Sequence, residues 1–144
     1  MKIAALIPAR YGSTRLPAKL VQDLGGISVI QRTYVSTLAP GVFDEVWVVT
    51  DHQEIQKQIL DLSGKVFLSK KSHESGSDRI AEALEAVDAD LIVNVQGDEP
   101  FQDAKSLHDL VAVFERPKVK MASLMCKIPE DEAYNPNSVK VVLD

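Results

Sequence analysis

Short apolar runs alternate with stretches of helical periodicity through most of this 144-residue chain. Runs of apolar and β-branched residues predict strands, whereas apolar residues spaced at i and i+4 predict helices that pack on a sheet. Helices between successive strands supply the long crossovers that parallel strands need. The alternation therefore predicts an α/β fold, a mostly parallel sheet with helices on both faces. The expected strands cover residues 2–8, 45–50, 66–69, 91–96, 121–128 and 139–143.

Capping residues indicate where the helices begin. Ser28 with Gln31 has the spacing of a capping box, in which each residue bonds the other's backbone N–H. Asp51 with Glu54 gives the corresponding signature for the second helix. A further helix is expected over residues 103–116, because its apolar residues share one face and a proline follows it.

A cluster of cations follows the first predicted strand. Arg10, Arg15 and Lys19 lie close together there, although the net charge of the chain is -5. Gly12 permits a positive φ and a close backbone approach to a ligand, and Ser13 adds a hydroxyl donor. The loop is neither a P-loop nor a dinucleotide fingerprint. It is either a phosphate-binding loop or a solvated basic loop of the kind common in α/β proteins.

Two further polar loops follow later strands. Residues 70–79 follow the third predicted strand, and residues 96–100 follow the fourth. Because the carboxyl ends of parallel strands share one edge, both loops are expected beside the basic loop. Asp98 suits Mg²⁺, which takes one or two carboxylates with waters and phosphate oxygens, although a turn-forming Asp is the alternative. Ser77 or Asp78 is expected to cap the third helix.

The composition excludes several classes of protein. The acidic balance argues against nucleic acid as the main partner, because that role needs a broad basic face. The three histidines lack metal-ligand spacing, so zinc is not expected. The single cysteine, Cys126, lies in an apolar run and is expected in the core of a protein from a reducing compartment. The apolar run before Pro8 is too short for a signal peptide or a membrane span, which predicts a soluble cytoplasmic protein.

Four motifs follow one another along the chain: residues 7–17 with Lys19, then 73–79, 93–100 and 135–142. Together they resemble the 3-deoxy-manno-octulosonate (Kdo) cytidylyltransferase family, and the likeness extends over residues 1–144. The resemblance implies a three-layer α/β/α Rossmann-like nucleotidyltransferase fold with a mostly parallel, mixed sheet. It also implies that residues 1–144 are one nucleotide-binding domain, incomplete at its C-terminus.

The resemblance further implies that CTP and Kdo are converted to CMP-Kdo and pyrophosphate with Mg²⁺, by an enzyme that is a homodimer at full length. From the composition and the short apolar run, no nucleic-acid or membrane partner is expected. Arg15, Lys19 and Asp98 would be catalytic, with Asp98 as the metal ligand. The implied CTP-binding residues are Pro8, Ala9, Arg10, Gly12, Ser13, Arg15, Lys19, Ser77, Arg79, Gln96 and Asp98. Within this set, Arg10, Ser13, Arg15 and Lys19 would hold the triphosphate. The base, ribose or sugar would lie near Ser77, Arg79 and Gln96.

The chain departs from the family pattern in two respects. Ala18 and Leu20 stand where members usually have Gly and Pro. Members also continue past the position of Asp144, and that continuation is expected to carry a second metal-binding Asp, much of the sugar pocket and the dimer surface. Three alternatives stay open: a cytidylyltransferase for another acidic sugar such as sialic acid, a CTP-binding module without turnover, and a partner domain that binds no nucleotide.

Overall fold

Four parallel strands form one sheet in the computed structural model, which describes residues 1–12 and 16–141. The strands are β1 (Ile3–Ala9), β2 (Glu45–Thr50), β3 (Lys65–Leu68) and β4 (Leu91–Asn94). Their order is β3-β2-β1-β4, and each of the three pairings is parallel. The predicted α/β fold is confirmed. No antiparallel strand joins the sheet within the described ranges, so the mixed character that the resemblance implies is not seen there.

Four α-helices connect and follow the strands. They are α1 (Val29–Leu38), α2 (Gln53–Leu60), α3 (Gly76–Ala83) and α4 (Ala104–Ala112). Short 3₁₀ helices cover Lys19–Val21, Val113–Glu115 and Asp131–Tyr134. Across the described ranges, no helix has both the length and the apolar character needed to cross a lipid bilayer.

The helix caps agree with the sequence in α1 but differ in α2. Ser28 and Gln31 bond each other's backbone N–H groups, so the predicted capping box is confirmed. The predicted Asp51 cap is wrong, because His52 Nδ1 accepts the N–H of Glu54 at 3.3 Å. The carboxylate of Asp51 is instead bonded to Arg79 on α3. Asp51 therefore forms a long-range ion pair with Arg79, and the adjacent His52 caps the helix.

The third helix begins earlier than its sequence indicates. Ser75 is its N-cap, and its Oγ accepts the N–H of Asp78 at 3.1 Å. Ser77 and Asp78 therefore lie inside the first turn, so the prediction that one of them caps the helix is wrong. For α4, Asp103 accepts the N–H of Ser106 at 2.8 Å and caps the helix where the pattern predicted its start.

Strand β1 is buried on both faces, which makes it the centre of the fold. Alternate side chains point to opposite faces, so Ala5 and Ile7 pack towards α1 and α2, whereas Leu6 packs towards α3. Ile30 of α1 and Ile55 of α2 are fully buried on the first face. Burying each such aliphatic side chain contributes about 1.5–3 kcal/mol. The result is the three-layer α/β/α arrangement.

The predicted strand over residues 121–128 does not form. That segment has no regular secondary structure, and Met121 is 89% exposed. Strand preference reflects packing on a pleated surface, and this segment is paired with no neighbouring strand. Cys126 is consequently exposed, so its predicted core position is wrong. Residues 139–141 also lack a strand, while residues 142 and 143 of that prediction lie outside the described residues.

Candidate functional site

The loops at the carboxyl ends of the strands meet at one edge of the sheet. From β1 the chain proceeds through β2 to β3 on one side, whereas β4 pairs with the other side of β1. The connections therefore diverge at β1. In open α/β sheets, the crevice at such a switch point is the usual ligand-binding site.

Lys19 and Asp98 meet across this crevice. The Nζ of Lys19 donates a hydrogen bond to Oδ2 of Asp98 at 2.7 Å. Their side chains are 42% and 46% exposed. An ion pair this exposed contributes only about 0–1 kcal/mol, so a ligand can displace it at low cost. The cationic loop and the acidic turn, which the sequence places far apart, thus provide one cation and one anion at the same point.

Gly97 allows the acidic turn to approach the end of β1. A Cβ atom at this position would lie 2.9 Å from the carbonyl oxygen of Pro8 and 3.3 Å from a methyl carbon of Leu20. The buried Thr33 hydroxyl donates its one proton between the carbonyl oxygens of Gly97, at 2.9 Å, and Val29, at 3.0 Å. Both Gly97 and Thr33 therefore position Asp98. Neither was predicted, although a glycine immediately before Asp98 was visible in the sequence.

The N-terminus of α3 packs against the end of β1. A Cβ atom at Gly76 would lie 3.2 Å from the ring of Pro8. The guanidinium of Arg10 donates a hydrogen bond to the carbonyl oxygen of Glu74. These contacts bring the loop over residues 70–79 beside the basic loop, as its place at the strand ends predicted.

An open cleft of about 510 Å³ lies between the loops that follow β1, β2 and β3. Its lining comprises Arg10, Tyr11, Gly12, Asp51, His52, Ser69, Lys70, Lys71 and Ser72. The rings of Tyr11 and His52 stack with centroids 3.6 Å apart and an interplanar angle of 11°. A hydrogen bond to Glu54 raises the pKa of Tyr11. The lining of the cleft therefore combines three cations, one carboxylate and a stacked aromatic pair.

Asp51 links this cleft to the buried side chain of Arg79. Nη2 of Arg79 lies 2.9 Å from Oδ2 of Asp51. Arg79 is 2% exposed, whereas the side chain of Asp51 is 36% exposed. Partial burial raises the pKa of Asp51, but the hydrogen bond and charge of Arg79 outweigh it and lower the pKa below its usual value. The carboxylate is therefore ionised and fixed in orientation at neutral pH.

Glu82 of α3 holds the loop that follows β3 and lines one side of the cleft. Its Oε1 accepts the backbone N–H of Lys70 at 3.0 Å, and its Oε2 lies 2.5 Å from Nε2 of His73. The bond to His73 is the main cause of the lowered pKa of Glu82. One carboxylate thus holds the loop at two points.

The remaining predicted site residues are distributed around this edge. Ala9 is buried in β1, Ser77 is exposed on α3, and exposed Gln96 donates to Asn94 at 3.3 Å. Gly12 does not adopt the left-handed conformation that its residue type suggested. The predicted triphosphate ligands Ser13 and Arg15 lie outside the described residues.

Several residues of the cleft were not predicted as site residues. They are Tyr11, Asp51, His52, Lys70 and Lys71. Asp51 directly follows β2 and so shares the edge at which a ligand was expected. Its position after β2 was enough to predict Asp51 as a site residue, but the sequence pattern was interpreted as a helix cap instead.

Comparison with known proteins gives consistent results. Residues 4–144 match the family model described as Cytidylyltransferase. A 3-deoxy-manno-octulosonate cytidylyltransferase of Flavobacterium johnsoniae is 55% identical, with 100% of this chain and 61% of the relative covered. One of Christiangramia forsetii is 50% identical, with 98% of this chain and 58% of the relative covered.

A solved structure of CMP:2-keto-3-deoxy-manno-octonic acid synthetase complexed with CTP superposes with a TM-score of 0.76 at 37% identity. The superposition covers 80% of this chain and 48% of that one. The chain spans about three fifths of the length of the curated relatives it matches. Since the family model extends over nearly every residue, this chain belongs to the cytidylyltransferase family.

Proposed function

We propose that this chain forms the nucleotide-binding part of a Kdo cytidylyltransferase. The enzyme would convert CTP and Kdo to CMP-Kdo and pyrophosphate in the cytoplasm, for lipopolysaccharide synthesis. The observation that carries the proposal is the Lys19–Asp98 pair in the crevice between β1 and β4. The pair brings one cation and one carboxylate together in a chain of the cytidylyltransferase family, and this supports a site for phosphate and a metal ion.

The proposed reaction is an in-line displacement at the α-phosphorus of CTP. The anomeric hydroxyl oxygen of Kdo forms the new bond to phosphorus, the bond to the bridging oxygen breaks, and pyrophosphate leaves. The hydroxyl proton passes to solvent. Arg10, Ser13, Arg15 and Lys19 would hold the triphosphate, and Arg15 and Lys19 would offset the charge that develops on its oxygens. Losing one such preorganised contact typically costs about 10²–10³-fold in turnover.

The residues present fit a magnesium ion bound largely by substrate. Asp98 offers an exposed carboxylate beside the predicted phosphate site. Within residues 1–12 and 16–141, no cluster of three or more His, Cys, Asp or Glu could hold a metal ion. Mg²⁺ commonly takes one or two carboxylates and completes its shell with waters and phosphate oxygens. When bound, it would supply positive charge to the phosphates, with Asp98 as its ligand from this chain.

The names of the relatives support Kdo over another acidic sugar such as sialic acid as the acceptor. A CTP-binding module without turnover is the second candidate, since the chain spans about three fifths of those relatives. The homodimer expected at full length is part of the same proposal, as is the absence of nucleic-acid and membrane partners.

Pyrophosphate release from CTP, Kdo and Mg²⁺ tests the reaction. The assay compares this chain with a version extended to the length of its relatives. Release by both supports the complete proposal, and release by the extended version alone supports the binding module. If neither version releases pyrophosphate, the choice of acceptor sugar is reopened.

A substitution tests the role of Asp98. In the extended version, Asp98→Ala is expected to abolish Mg²⁺-dependent turnover without changing the melting temperature appreciably. Asp61→Ala is the matched control, because Asp61 caps the far end of α2 at the opposite edge of the sheet. Turnover retained by Asp98→Ala would refute the metal-ligand role.

A further inference from the structure

The ion pair between Asp51 and Arg79 has a feature that packing alone does not explain. A buried guanidinium needs a compensating charge, and Asp51 supplies it at 2.9 Å. A purely structural partner would be expected to be buried with it. Asp51 is instead 36% exposed and lines the cleft, while Arg79 lies beneath it and is 2% exposed.

The carboxylate of Asp51 is ionised, held in a fixed orientation and partly exposed, so it can accept hydrogen bonds from a ligand. An ionised carboxylate is an acceptor only and has about four lone-pair sites on its two oxygens. Arg79 occupies one position on Oδ2 and fixes the orientation of the group. Arg79 and the backbone N–H of Asp51 itself take up only part of this capacity, so the exposed carboxylate can accept a further hydrogen bond from a ligand in the cleft.

The distance between the cleft and the proposed phosphate site matches the length of a nucleoside triphosphate. Asp51 follows β2 and Asp98 follows β4, and these strands flank β1. At about 4.8 Å between neighbouring strands, the two strand ends are roughly 10 Å apart. A nucleoside triphosphate is long enough to span this separation. With its phosphates near Lys19, its base would reach the cleft over the ends of β1 and β2.

We propose that Asp51 recognises the nucleotide base by accepting a hydrogen bond from the exocyclic amino group of cytosine, with Arg79 as its positioning residue. The inference rests on the proposed function, and it assigns the base specificity of that same site. Cytosine presents an N4 amino donor, whereas uracil presents a carbonyl oxygen at the equivalent position. An ionised carboxylate attracts the first and repels the second. Asp51 would therefore favour CTP over UTP.

The aromatic pair beside Asp51 is consistent with a planar ligand. Tyr11 and His52 are stacked, and both line the cleft together with Asp51. Aromatic side chains stack on any nucleobase and so do not distinguish one base from another. In this arrangement the stacked rings would orient the base, and Asp51 would provide the discrimination.

Binding measurements on this chain test the inference directly. The affinities of CTP, UTP and inorganic tripolyphosphate are measured with Mg²⁺ for the unsubstituted chain and for Asp51→Asn. We expect CTP to bind at least roughly tenfold more tightly than UTP, since a site built for a donor rejects an analogue that lacks it. In Asp51→Asn this ratio should fall to about threefold or less, because an amide can donate as well as accept. Tripolyphosphate affinity should stay unchanged.

Two variants separate recognition from folding. Asp61→Asn removes the same charge far from the cleft and should preserve the CTP preference. Arg79→Lys keeps the charge but loses the planar guanidinium, and should reduce the preference without changing tripolyphosphate binding. Melting temperatures for each variant report whether the fold is intact.

A modified nucleotide provides a test that needs no variant. N4,N4-dimethyl-CTP lacks the amino hydrogens, so we expect it to bind the unsubstituted chain at least roughly tenfold more weakly than CTP. Equal binding of the two nucleotides, or an unchanged CTP preference in Asp51→Asn, would overturn the inference alone. If the unsubstituted chain bound tripolyphosphate but showed no preference between CTP and UTP, both the inference and the proposed function would fail.

Discussion

Gly97 and Pro8 lie so close that a Cβ atom on Gly97 would be 2.9 Å from the carbonyl oxygen of Pro8, so the turn after β4 reaches the end of β1 only because Gly97 has no side chain. The same glycine is anchored from α1, since its own carbonyl oxygen accepts the Thr33 hydroxyl. Asp98 follows immediately and reaches Lys19. The position of the carboxylate in the crevice therefore depends on the absence of a side chain at the preceding residue.

Gly97→Ala should destabilise the chain and weaken nucleotide binding. The added methyl group would lie 2.9 Å from backbone, which cannot give way as a flexible side chain can. We expect a loss of about 1–3 kcal/mol, as for other overpacked sites, measured by urea unfolding. Gly12→Ala is the stability control, because among the described residues nothing lies within 4 Å of its Cβ position, and its effect should stay within about 0.5 kcal/mol. Equal stability of both variants would contradict this account.

Ala18→Gly should stabilise the chain. Ala18 has φ 51° and ψ 34°, a left-handed conformation that costs a residue with a Cβ about 1–2 kcal/mol. Glycine avoids this cost but loses more entropy on folding, so the net gain should be about 0.5–1 kcal/mol by urea unfolding. Ala39→Gly is the matched control, because Ala39 has φ -56° and should lose stability. A loss in both variants would show that Ala18 is unstrained.

Glu82→Ala should loosen the loop that lines the cleft. The substitution removes the acceptor for the Lys70 amide and the partner of His73. We expect faster hydrogen exchange at that amide and faster tryptic cleavage after Lys70 and Lys71. Glu85→Ala is the control, because Glu85 lies in the turn that follows the same helix, and it should leave both rates unchanged. Unaltered exchange at Lys70 in Glu82→Ala would mean that other contacts hold the loop.

Protonation of Glu45 should make the free energy of unfolding depend on pH in the acid range. Hydrogen bonds from Trp47 and Lys65 lower its pKa from 4.5 to about 2. A carboxyl group whose pKa is depressed by folding stabilises the folded state fully above the unfolded value, and that contribution disappears as pH falls through the folded value. The loss should therefore occur between pH 4.5 and about 2. The free energy of unfolding, measured with urea at pH 7 and at pH 3, should fall less in Glu45→Gln than in the unsubstituted chain. An equal fall in both proteins would contradict this role of Glu45.

The strands β1 to β4 were predictable because each is a short run of apolar or β-branched residues. Residues 121–128 have the same appearance, yet they form no strand. A strand needs a neighbouring edge as well as a suitable composition, and only the first property can be read from a local run. The sequence pattern therefore located the sheet but overestimated its number of strands.

The meeting of the loops after β1 and β4 was predictable because both follow parallel strands that end at one edge, and the contact between Lys19 and Asp98 confirms that they meet. The site was less predictable where a residue's partner lies far away in the sequence. Asp51 has the local signature of a helix cap, but its bond to Arg79 bridges 28 positions. The left-handed conformation of Ala18 was also hidden, because alanine gives no local indication of it.

The contact between Lys19 and Asp98 also connects the site to the folding of the sheet. These residues are 79 positions apart, so their contact closes a long loop and carries the corresponding entropy cost. An exposed ion pair is too weak to meet that cost alone, and the two groups therefore stay together only while β4 is paired with β1. A ligand that engages both groups would bind the paired sheet and not the open chain, and would raise the melting temperature of the whole sheet as its concentration increases.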